Sequence, residues 1–212
     1  MTDVIPIGRS GNLIEIFEAL SDRHTIPAIL DDNPAFAGTS FEGIPIHPLS
    51  QARHYPEAQF LVLIGSERSF RQRAALVGGL GLPPGRFARV VHPSARLSRF
   101  ATLGEGTCLY HGVTVTSNAV IGRHVLALPH GVIHHDAVIG DHSLLGAGVI
   151  VAGGARIGEG CYIGAGSAIR NGVTVGDGAL VGMGSVVVRD VEPGAVVAGV
   201  PARPLAGRPR TG

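Results

Sequence analysis

Aliphatic residues recur at every sixth position over the second half of the chain. Between Val91 and Val187 this period gives seventeen positions, and sixteen of them hold Val, Ile or Leu. Those three residue types account for only 57 of the 212 residues, so the recurrence is not a consequence of composition. A short fixed period of this kind is typical of a solenoid, in which each repeat buries its apolar side only by stacking on its neighbours.

The residues around each aliphatic position predict short strands joined by corners. A small residue usually stands two positions earlier, which places both side chains on one face of a strand. These small residues are Ala95, Ala101, Thr107, Ala119, Ala137, Ser143, Ala155, Cys161, Ser167, Ala179 and Ser185. Glycine follows the aliphatic residue in eight repeats, as at Gly104 and Gly122, where we expect a sharp turn that includes positive φ. Strands and corners in alternation predict a triangular prism of parallel strands, a β-helix, because a helical period of 3.6 does not fit a spacing of six.

The first part of the chain has a different pattern, in which apolar runs alternate with helical spacing. An apolar run over 3–8 precedes a helical pattern over 13–20, and further strands are predicted over 26–30 and 60–65. A helix is predicted from about residue 66 to residue 77. Strands that alternate with helices favour a small parallel α/β sheet of Rossmann type.

These patterns divide the chain into two domains and a tail. We predict a Rossmann-like domain over residues 1–88, a β-helix over residues 89–190 and a C-terminal tail over residues 191–212. The sequence Pro83-Pro84-Gly85 is the predicted hinge between the two domains.

A glycine-containing turn after the first predicted strand is a candidate nucleotide site. Gly8 and Gly11 precede a helix N-terminus, which favours phosphate. Asp31 lies near the place where a carboxylate accepts hydrogen bonds from a ribose in such folds. The turn lacks the full dinucleotide fingerprint, and a tight turn beside a solvated acidic loop is the alternative.

Composition narrows the classes of function. The formal net charge of +1 gives no general case for nucleic-acid binding. No apolar run approaches membrane length, and the N-terminus lacks the shape of a signal peptide. Cys108 and Cys161 fall at different positions of the repeat, so we expect free thiols and a cytoplasmic location. All 17 basic residues are Arg, which excludes a lysine Schiff base and a P-loop lysine.

Histidines crowd into one short segment of the predicted β-helix. Five of the ten fall between residues 124 and 142: His124, His130, His134, His135 and His142. His135 falls at a predicted corner and is followed by Asp136, and Gly153 lies one coil of eighteen residues further on. An imidazole beside a main-chain N–H that carries no side chain supplies a base and an oxyanion donor, which acyl transfer requires.

Several segments resemble one family of enzymes. The six-residue repeat resembles that of the hexapeptide-repeat acyltransferases, and the segment 132–141 is similar to the His-Asp/Glu block of bacterial acetyltransferases that modify nucleotide-linked amino sugars. Sialic acid O-acetyltransferases share this block. Other matching segments are 92–95, 30–32 and 194–202, so the resemblance covers nearly the whole chain. It implies a left-handed β-helix, a homotrimer, a nucleotide-sugar substrate and acetyl-CoA as the acyl donor, without a metal.

The resemblance also implies roles for particular residues in direct acetyl transfer to a sugar amine. His135 would be the general base, Asp136 would raise its basicity, and the Gly153 N–H would polarise the acetyl carbonyl. The implied nucleotide-sugar site comprises Ser10, Gly11, Asn12, Asp31, Asp32 and Gly65. The implied acetyl-CoA groove, between two prisms, comprises Leu144, Ala165 and Met183. Family members usually have His at the positions of Leu144 and Asn12, and Asn at the position of Leu128.

Three alternatives stay open at this point. The acceptor could be a hydroxyl of sialic acid or another sugar. A γ-type carbonic anhydrase uses the same prism with three zinc-binding histidines, and His130 and His135 mimic part of that arrangement. However, no histidine occurs at the earlier coil that would supply the third ligand. A non-catalytic scaffold would leave the histidine cluster without a purpose.

Overall fold

The computed structural model describes residues 2–205, and its first part is a five-stranded sheet with helices. The strands are β1 (Val4–Ile7), β2 (Ile29–Leu30), β3 (Ser40–Phe41), β4 (Ile44–His47) and β5 (Gln59–Val62), in the order β3-β4-β2-β1-β5. The α-helices are α1 (Gly11–Ser21) and α2 (Arg73–Gly79), and short 3-10 helices span Pro34–Phe36, Leu49–His54 and Phe70–Gln72.

Four of these strands are parallel, as the Rossmann-type prediction requires. The strand β1 pairs with β2 and β5, and β2 pairs with β4. The edge strand β3 pairs antiparallel with β4 in a hairpin that the sequence analysis did not predict. The predicted strand over 26–30 is reduced to β2, and the strand predicted over 60–65 ends at Val62.

The helix predicted from residue 66 begins later than expected. Ser66 and Ser69 form a turn in which the Ser66 N–H donates to Ser69 Oγ at 3.1 Å. Serine side chains that bond to nearby backbone compete with helix formation. The chain therefore enters a 3-10 turn at Phe70 and becomes α-helical only at Arg73.

The second part of the chain is the predicted prism. Its strands are β6 (Val90–Val91), β7 (Arg96–Leu97), β8 (Thr102–Leu103), β9 (Cys108–Leu109), β10 (Thr114–Val115), β11 (Val120–Ile121), β12 (Leu126–Ala127), β13 (Val132–Ile133), β14 (Val138–Ile139), β15 (Leu144–Leu145), β16 (Ile150–Val151), β17 (Arg156–Ile157), β18 (Tyr162–Ile163), β19 (Ala168–Ile169), β20 (Thr174–Val175), β21 (Leu180–Val181) and β22 (Val186–Val187). Each strand ends on one of the seventeen positions of the six-residue period.

Three parallel sheets form the faces of the prism. The first face holds β6, β9, β12, β15, β18 and β21, the second holds β7, β10, β13, β16, β19 and β22, and the third holds β8, β11, β14, β17 and β20. Residues eighteen apart pair in register, as Ile133 does with Val115 and Val151. We name the corners by their order: the first corner joins the first and second faces (128–131 in one coil), the second corner joins the second and third faces (134–137), and the third corner joins the third and first faces (140–143).

The aliphatic positions form the core of the prism. From Leu109 to Val187 every one of them is buried. The small polar residues two positions earlier are buried as well and bond to the turns, as when Ser143 Oγ donates to the Gly158 carbonyl at 2.8 Å. The inward pair of one large and one small side chain is thus confirmed.

The reason for glycine at the corners differs from the one expected. Gly104 and Gly122 do not adopt positive φ, which occurs two residues later, as at Gly106. A Cβ on Gly104 would instead collide with the main chain of the next coil. The first glycine is required by the close approach of coils, whereas the left-handed backbone of the second position favours glycine but also holds Asn, Asp or His in other coils.

The described part of the predicted tail is folded. Residues Val196–Gly199 form β23, which adds to β21, and Ala202–Pro204 form β24, which pairs antiparallel with β23. Val191 and Val197 are buried in the prism core. Val191 therefore extends the third face by pairing with Val175, and β23 and β24 extend the first face, whereas the rest of the predicted tail, 206–212, lies outside the described residues.

Candidate active site

His135 and Asp136 lie together at the second corner, where they are exposed. His135 Nδ1 lies 2.8 Å from Asp136 Oδ2, and Asp136 Oδ1 accepts from Asn118 Nδ2 at 3.1 Å. Asp136 and Asn118 occupy the same left-handed backbone position in successive coils, with φ of 59° and 60°. Asn and Asp tolerate this conformation better than most residues, so the turn itself places the carboxylate beside the imidazole.

The carboxylate fixes how the imidazole of His135 can act. A carboxylate accepts hydrogen bonds, so Nδ1 carries the proton and Nε2 keeps a free lone pair. The hydrogen bond from His135, followed by that from Asn118, lowers the pKa of Asp136 below its ordinary value, which keeps it ionised. The arrangement is that of a general base whose tautomer is set by its neighbour.

Gly153 lies beside the imidazole, one coil further along. A Cβ at Gly153 would stand 2.6 Å from both Cε1 and Nε2 of His135, so only glycine leaves room for the ring. Within residues 2–205 the Gly153 N–H donates no hydrogen bond, whereas the N–H of Gly154 donates to the His135 carbonyl at 2.9 Å. A free main-chain donor near a base can stabilise an oxyanion.

A second cluster of the expected site residues lies where the N-terminal domain meets the first face. Ser10 Oγ donates to the Leu63 carbonyl at 3.1 Å, and Asn12 Nδ2 donates to the carbonyls of Leu63 and Gly65 at 2.9 and 3.0 Å. A cavity of about 220 Å³ opens beside them. Its lining residues are Asn12, Gly65, Ser66, Glu67, Leu126, Leu128, Leu144, Gly146 and Tyr162. Because both amide hydrogens of Asn12 are engaged, its Oδ1 is the atom left to accept a hydrogen bond from a ligand.

The two aspartates of the expected substrate site also support the loops around them. Asp31 accepts from the N–H groups of Arg9 and Asn33 at 2.7 and 2.8 Å, and Asp32 accepts from the Leu49 N–H at 2.8 Å. Gly11 is the first residue of α1 and is exposed. Asp31 therefore joins the end of β2 to the turn that precedes α1.

The three residues expected at the acetyl-CoA groove are not grouped together. Leu144 is 5% exposed and lines the cavity with Asn12 and Gly65. Ala165 and Met183 lie at the first corner, one coil apart, and Met183 is 78% exposed. Met183 and Ala165 therefore border open surface, whereas Leu144 is covered by the N-terminal domain.

The imidazole of His135 does not line this cavity. His135 is at the second corner, between the second and third faces, whereas the cavity lies against the first face. Within a single chain the candidate base and the candidate sugar-binding residues are consequently separated by the width of the prism.

The other histidines of the cluster are distributed over different corners. His124 and His142, eighteen residues apart, lie at the third corner with parallel rings 5.1 Å apart, and His130 is exposed at the first corner. Burial lowers the pKa of His124 to about 4. Across residues 2–205 no group of three or more His, Cys, Asp or Glu side chains is placed to hold a metal ion.

Three residues near these clusters were not singled out by the sequence analysis. Asn118 was missed although it stands eighteen residues before Asp136, a spacing that could have identified it. Arg73 and Tyr110 are buried between the domains, and no local pattern marks them. Burial lowers the pKa of Arg73 to about 10, so its guanidinium remains charged at neutral pH.

Comparison with known proteins places this architecture in a family. The model described as bacterial transferase hexapeptide (six repeats) matches residues 154–189, and that of the hexapeptide repeat of succinyl-transferase matches residues 137–170. PerB from Caulobacter crescentus, solved with CoA and GDP-perosamine, is 30% identical, with a TM-score of 0.84 over 97% of this chain and 98% of that chain. The chain belongs to the hexapeptide-repeat sugar acetyltransferases, and its fold is a Rossmann-like domain followed by a left-handed β-helix.

Two further proteins are similar to this chain. The acetyltransferase domain of PglB from Neisseria gonorrhoeae is 28% identical, with a TM-score of 0.84 over 97% of this chain and 100% of that domain. The UDP-N-acetylbacillosamine N-acetyltransferase of Bacillus subtilis is 32% identical over 115 residues. That match spans 51% of this chain and 51% of the curated relative. Among the described residues no helix is long and apolar enough to cross a membrane.

Proposed function

We propose that this protein is an acetyl-CoA-dependent N-acetyltransferase that acts on the amino group of a nucleotide-linked amino sugar. The observation that carries the proposal is the pair of His135 and Asp136 beneath the free N–H of Gly153. The relatives support the choice of substrates, because PerB binds CoA and GDP-perosamine and a PglB acetyltransferase domain binds acetyl coenzyme A.

In the proposed reaction the neutral sugar amine attacks the thioester carbonyl directly. His135 Nε2 takes a proton from the amine as the C–N bond forms, and Asp136 stabilises the resulting imidazolium. The Gly153 N–H donates to the oxygen on which negative charge develops. The C–S bond then breaks, and the thiolate of CoA recovers the proton from His135. General base catalysis contributes roughly 10²–10⁴-fold to such a step.

The proposal includes a homotrimer in which two copies complete one site. The support is the separation of His135 from the cavity lined by Asn12, Gly65 and Leu144 within one chain. A neighbouring prism would bring its own second corner to this cavity. The groove between the prisms, bordered by Ala165 and Met183, would then take acetyl-CoA. The free thiols of Cys108 and Cys161 support a reducing, cytosolic setting.

Ser10, Gly11, Asn12, Asp31, Asp32 and Gly65 are the residues proposed to hold the nucleotide-sugar. The turn at Gly11 begins an eleven-residue helix whose N-terminus is suited to a pyrophosphate. The cavity beside Asn12 has an apolar floor of leucines, which suits a sugar with few hydroxyl groups.

A binding screen followed by an acetylation assay tests the proposal. Nucleotide-sugars with UDP, GDP, dTDP and CMP are compared by thermal shift, because a ligand at 100 times its Kd adds about 2.7 kcal/mol of stability. The bound sugar is then incubated with acetyl-CoA, and mass spectrometry identifies an amide or an ester. Transfer to an amine supports the proposal, whereas an ester product identifies an O-acetyltransferase and contradicts it. Absence of acetyl transfer from acetyl-CoA to any bound nucleotide-sugar also contradicts it.

A further inference from the structure

The two loops that carry the proposed sugar site are joined to each other by a side chain of the N-terminal domain. Asn12 stands at the start of α1 and donates both amide hydrogens to the loop after β5, at Leu63 and Gly65. A displacement of either loop therefore moves the other, so the two loops form one sugar-binding unit.

Tyr110 of the prism attaches this unit to the prism by a hydrogen bond. Its side chain is fully buried at the first corner, and its hydroxyl donates to the main-chain carbonyl of Asn12 at 2.9 Å. Burial raises the pKa of Tyr110 well above its ordinary value, so the phenol stays a neutral donor. The hydrogen bond links residues 98 positions apart in the sequence.

Arg73 makes the second attachment, on the opposite side of the unit. Its side chain is 1% exposed; one terminal nitrogen donates to the Ile64 carbonyl, and the other donates to the His124 carbonyl of the prism at 2.7 Å. Among residues 2–205 its Nε has no hydrogen-bond partner, and Arg73 takes no part in the ion pairs of Arg123 with Asp141 and of His135 with Asp136. A buried cation without a counter-ion is costly, so stability alone is a poor explanation for an arginine at this place.

We propose that Tyr110 and Arg73 are positioning residues. They hold the sugar-binding unit in a fixed position relative to the prism, so that the bound amine lies next to the acetyl donor. This proposal rests on the proposed function. The acceptor is bound by the N-terminal domain, whereas the donor and the base belong to prisms. The relative placement of the domains therefore sets the distance between the reacting atoms, and a misplacement of 1 Å can cost about 10²-fold in rate.

Loss of these attachments should affect turnover more than binding. In Arg73→Met the N-terminal domain keeps its sugar contacts, but Ile64 and His124 lose their common donor. We expect kcat to fall about tenfold or more while the Kd values of the nucleotide-sugar and of CoA change less than about threefold. Arg73→Lys should recover part of the loss, because an ammonium can reach one of the two carbonyls. Tyr110→Phe should act in the same direction.

Arg71 offers a matched control two residues away. It also reaches from the N-terminal domain to the prism, where it donates to the carbonyls of Gly178 and Gly194 at 3.2–3.4 Å. Unlike Arg73 it is exposed, and its hydrogen bonds go to the prism carbonyls rather than to the Ile64 carbonyl. In Arg71→Met we expect an unchanged kcat.

The experiment measures kcat, both Kd values, Tm and amide hydrogen exchange over residues 63–69 for the wild-type protein and the four variants. Faster exchange in Arg73→Met but not in Arg71→Met, together with the loss of kcat, supports the proposal. A lowered Tm with unchanged kcat per folded molecule would show a purely structural role and overturn it. A rise in the sugar Kd that matches the loss of kcat, or an equal loss in Arg71→Met, also overturns it. If the wild-type protein acetylates no nucleotide-sugar, the proposed function fails, whereas the exchange data still test the attachment by themselves.

Discussion

The second and third corners of the prism carry histidines from the same short stretch of sequence in opposite environments. At the second corner His135 is exposed and bonded to Asp136. At the third corner His124 is 4% exposed, lies against the ring of Phe87 at 4.5 Å, and has an Nδ1 without a partner among residues 2–205. The two corners have the same backbone conformation. The difference in exposure of their histidines therefore comes from what covers each corner.

The position within the turn decides which way each side chain leans. His124 and His142 occupy the left-handed position, with φ of 55° and 63°, where other coils have glycine. His135 stands one residue earlier and leans on Gly153 of the next coil. The N-terminal domain covers the third corner through Phe87, and the second corner is left open. In a repeat protein, each histidine of a cluster therefore has to be assigned to its corner and to its position within the turn before a chemical role is assigned to it.

Removal of the imidazole at the second corner should have the largest effect. In His135→Ala we expect kcat to fall roughly 10²–10⁴-fold, because the amine loses its base. Tm should be unchanged, since the side chain is exposed. The neighbouring exposed residue gives the control, His134→Ala, with an unchanged kcat. Steady-state acetylation of the nucleotide-sugar found by the binding screen measures both, and near-normal turnover in His135→Ala would exclude this residue as the base.

Asp136→Asn changes the tautomer of the base without changing its size. An amide can donate to Nδ1, which favours the proton on Nε2, where the lone pair is needed. We expect a decrease in kcat of roughly 10–10²-fold, less than the roughly 10⁴-fold seen for the buried aspartate of serine proteases. Asn118→Ala should cost less, since it removes only one hydrogen bond to Asp136. An Asp136→Asn enzyme with wild-type kcat would contradict the assigned role of the carboxylate.

Two adjacent glycines should separate activity from stability. In Gly153→Ala the new methyl group meets the His135 ring and displaces it, so kcat should fall about tenfold, with little change in Tm. Gly154 has φ of +67°, and a Cβ added there would meet no atom within 4 Å. Gly154→Ala should therefore cost about 1–2 kcal/mol of stability, with kcat unchanged. Chemical denaturation and steady-state kinetics on both variants measure these effects. A loss of kcat in Gly154→Ala but not in Gly153→Ala would contradict the role given to Gly153.

The last expected effect concerns the third corner, leaves turnover unchanged and is seen only as a loss of stability in acid. Burial, followed by repulsion from His142, lowers the pKa of His124 to about 4, from an ordinary value of 6.5. Between these two pKa values His124 binds a proton in the unfolded chain but not in the folded protein. The free energy of unfolding therefore falls as pH decreases from about 6.5 towards 4 and is unaffected above this window. One such group contributes a slope of at most about 1.4 kcal/mol per pH unit.

His124→Gly should flatten this dependence and suits the left-handed backbone, because glycine occupies the same position at Gly106. Urea denaturation at pH 7 and pH 5 on both proteins measures the change. An identical acid slope in the variant would exclude His124 as its source.

The prism was far easier to predict than the N-terminal domain, for a physical reason. In the prism one period determines every position, so Leu109, Ile133 and Val187 could be assigned to the core from spacing alone. The hairpin of β3 and β4 has no comparable signal, because its short strands are set by packing at the sheet edge. The late start of α2 was missed because the turn at Ser66 and Ser69 is specified by side-chain hydrogen bonds.

The candidate site shows the same division. The spacing of eighteen residues predicted that Gly153 lies next to His135 and Asp136, and these residues are adjacent in the structure. Arg73 and Tyr110 could not be inferred, because their partners are main-chain carbonyls of the other domain. Leu144 was expected beside Ala165 and Met183, but the N-terminal domain covers it, and no repeat pattern encodes that contact.

The final coil of the prism is two residues shorter than the others. Val175 pairs with Val191 and Leu180 with Val196, both sixteen apart, and the shortening falls at the corner after Val187. The core is undisturbed, since Val191 and Val197 remain buried. A two-residue strand cannot accommodate an insertion or deletion, because a register shift of one residue would turn its inward side chains outward. Deletions, grafted peptides and affinity tags should accordingly be accepted at corners and rejected everywhere between them.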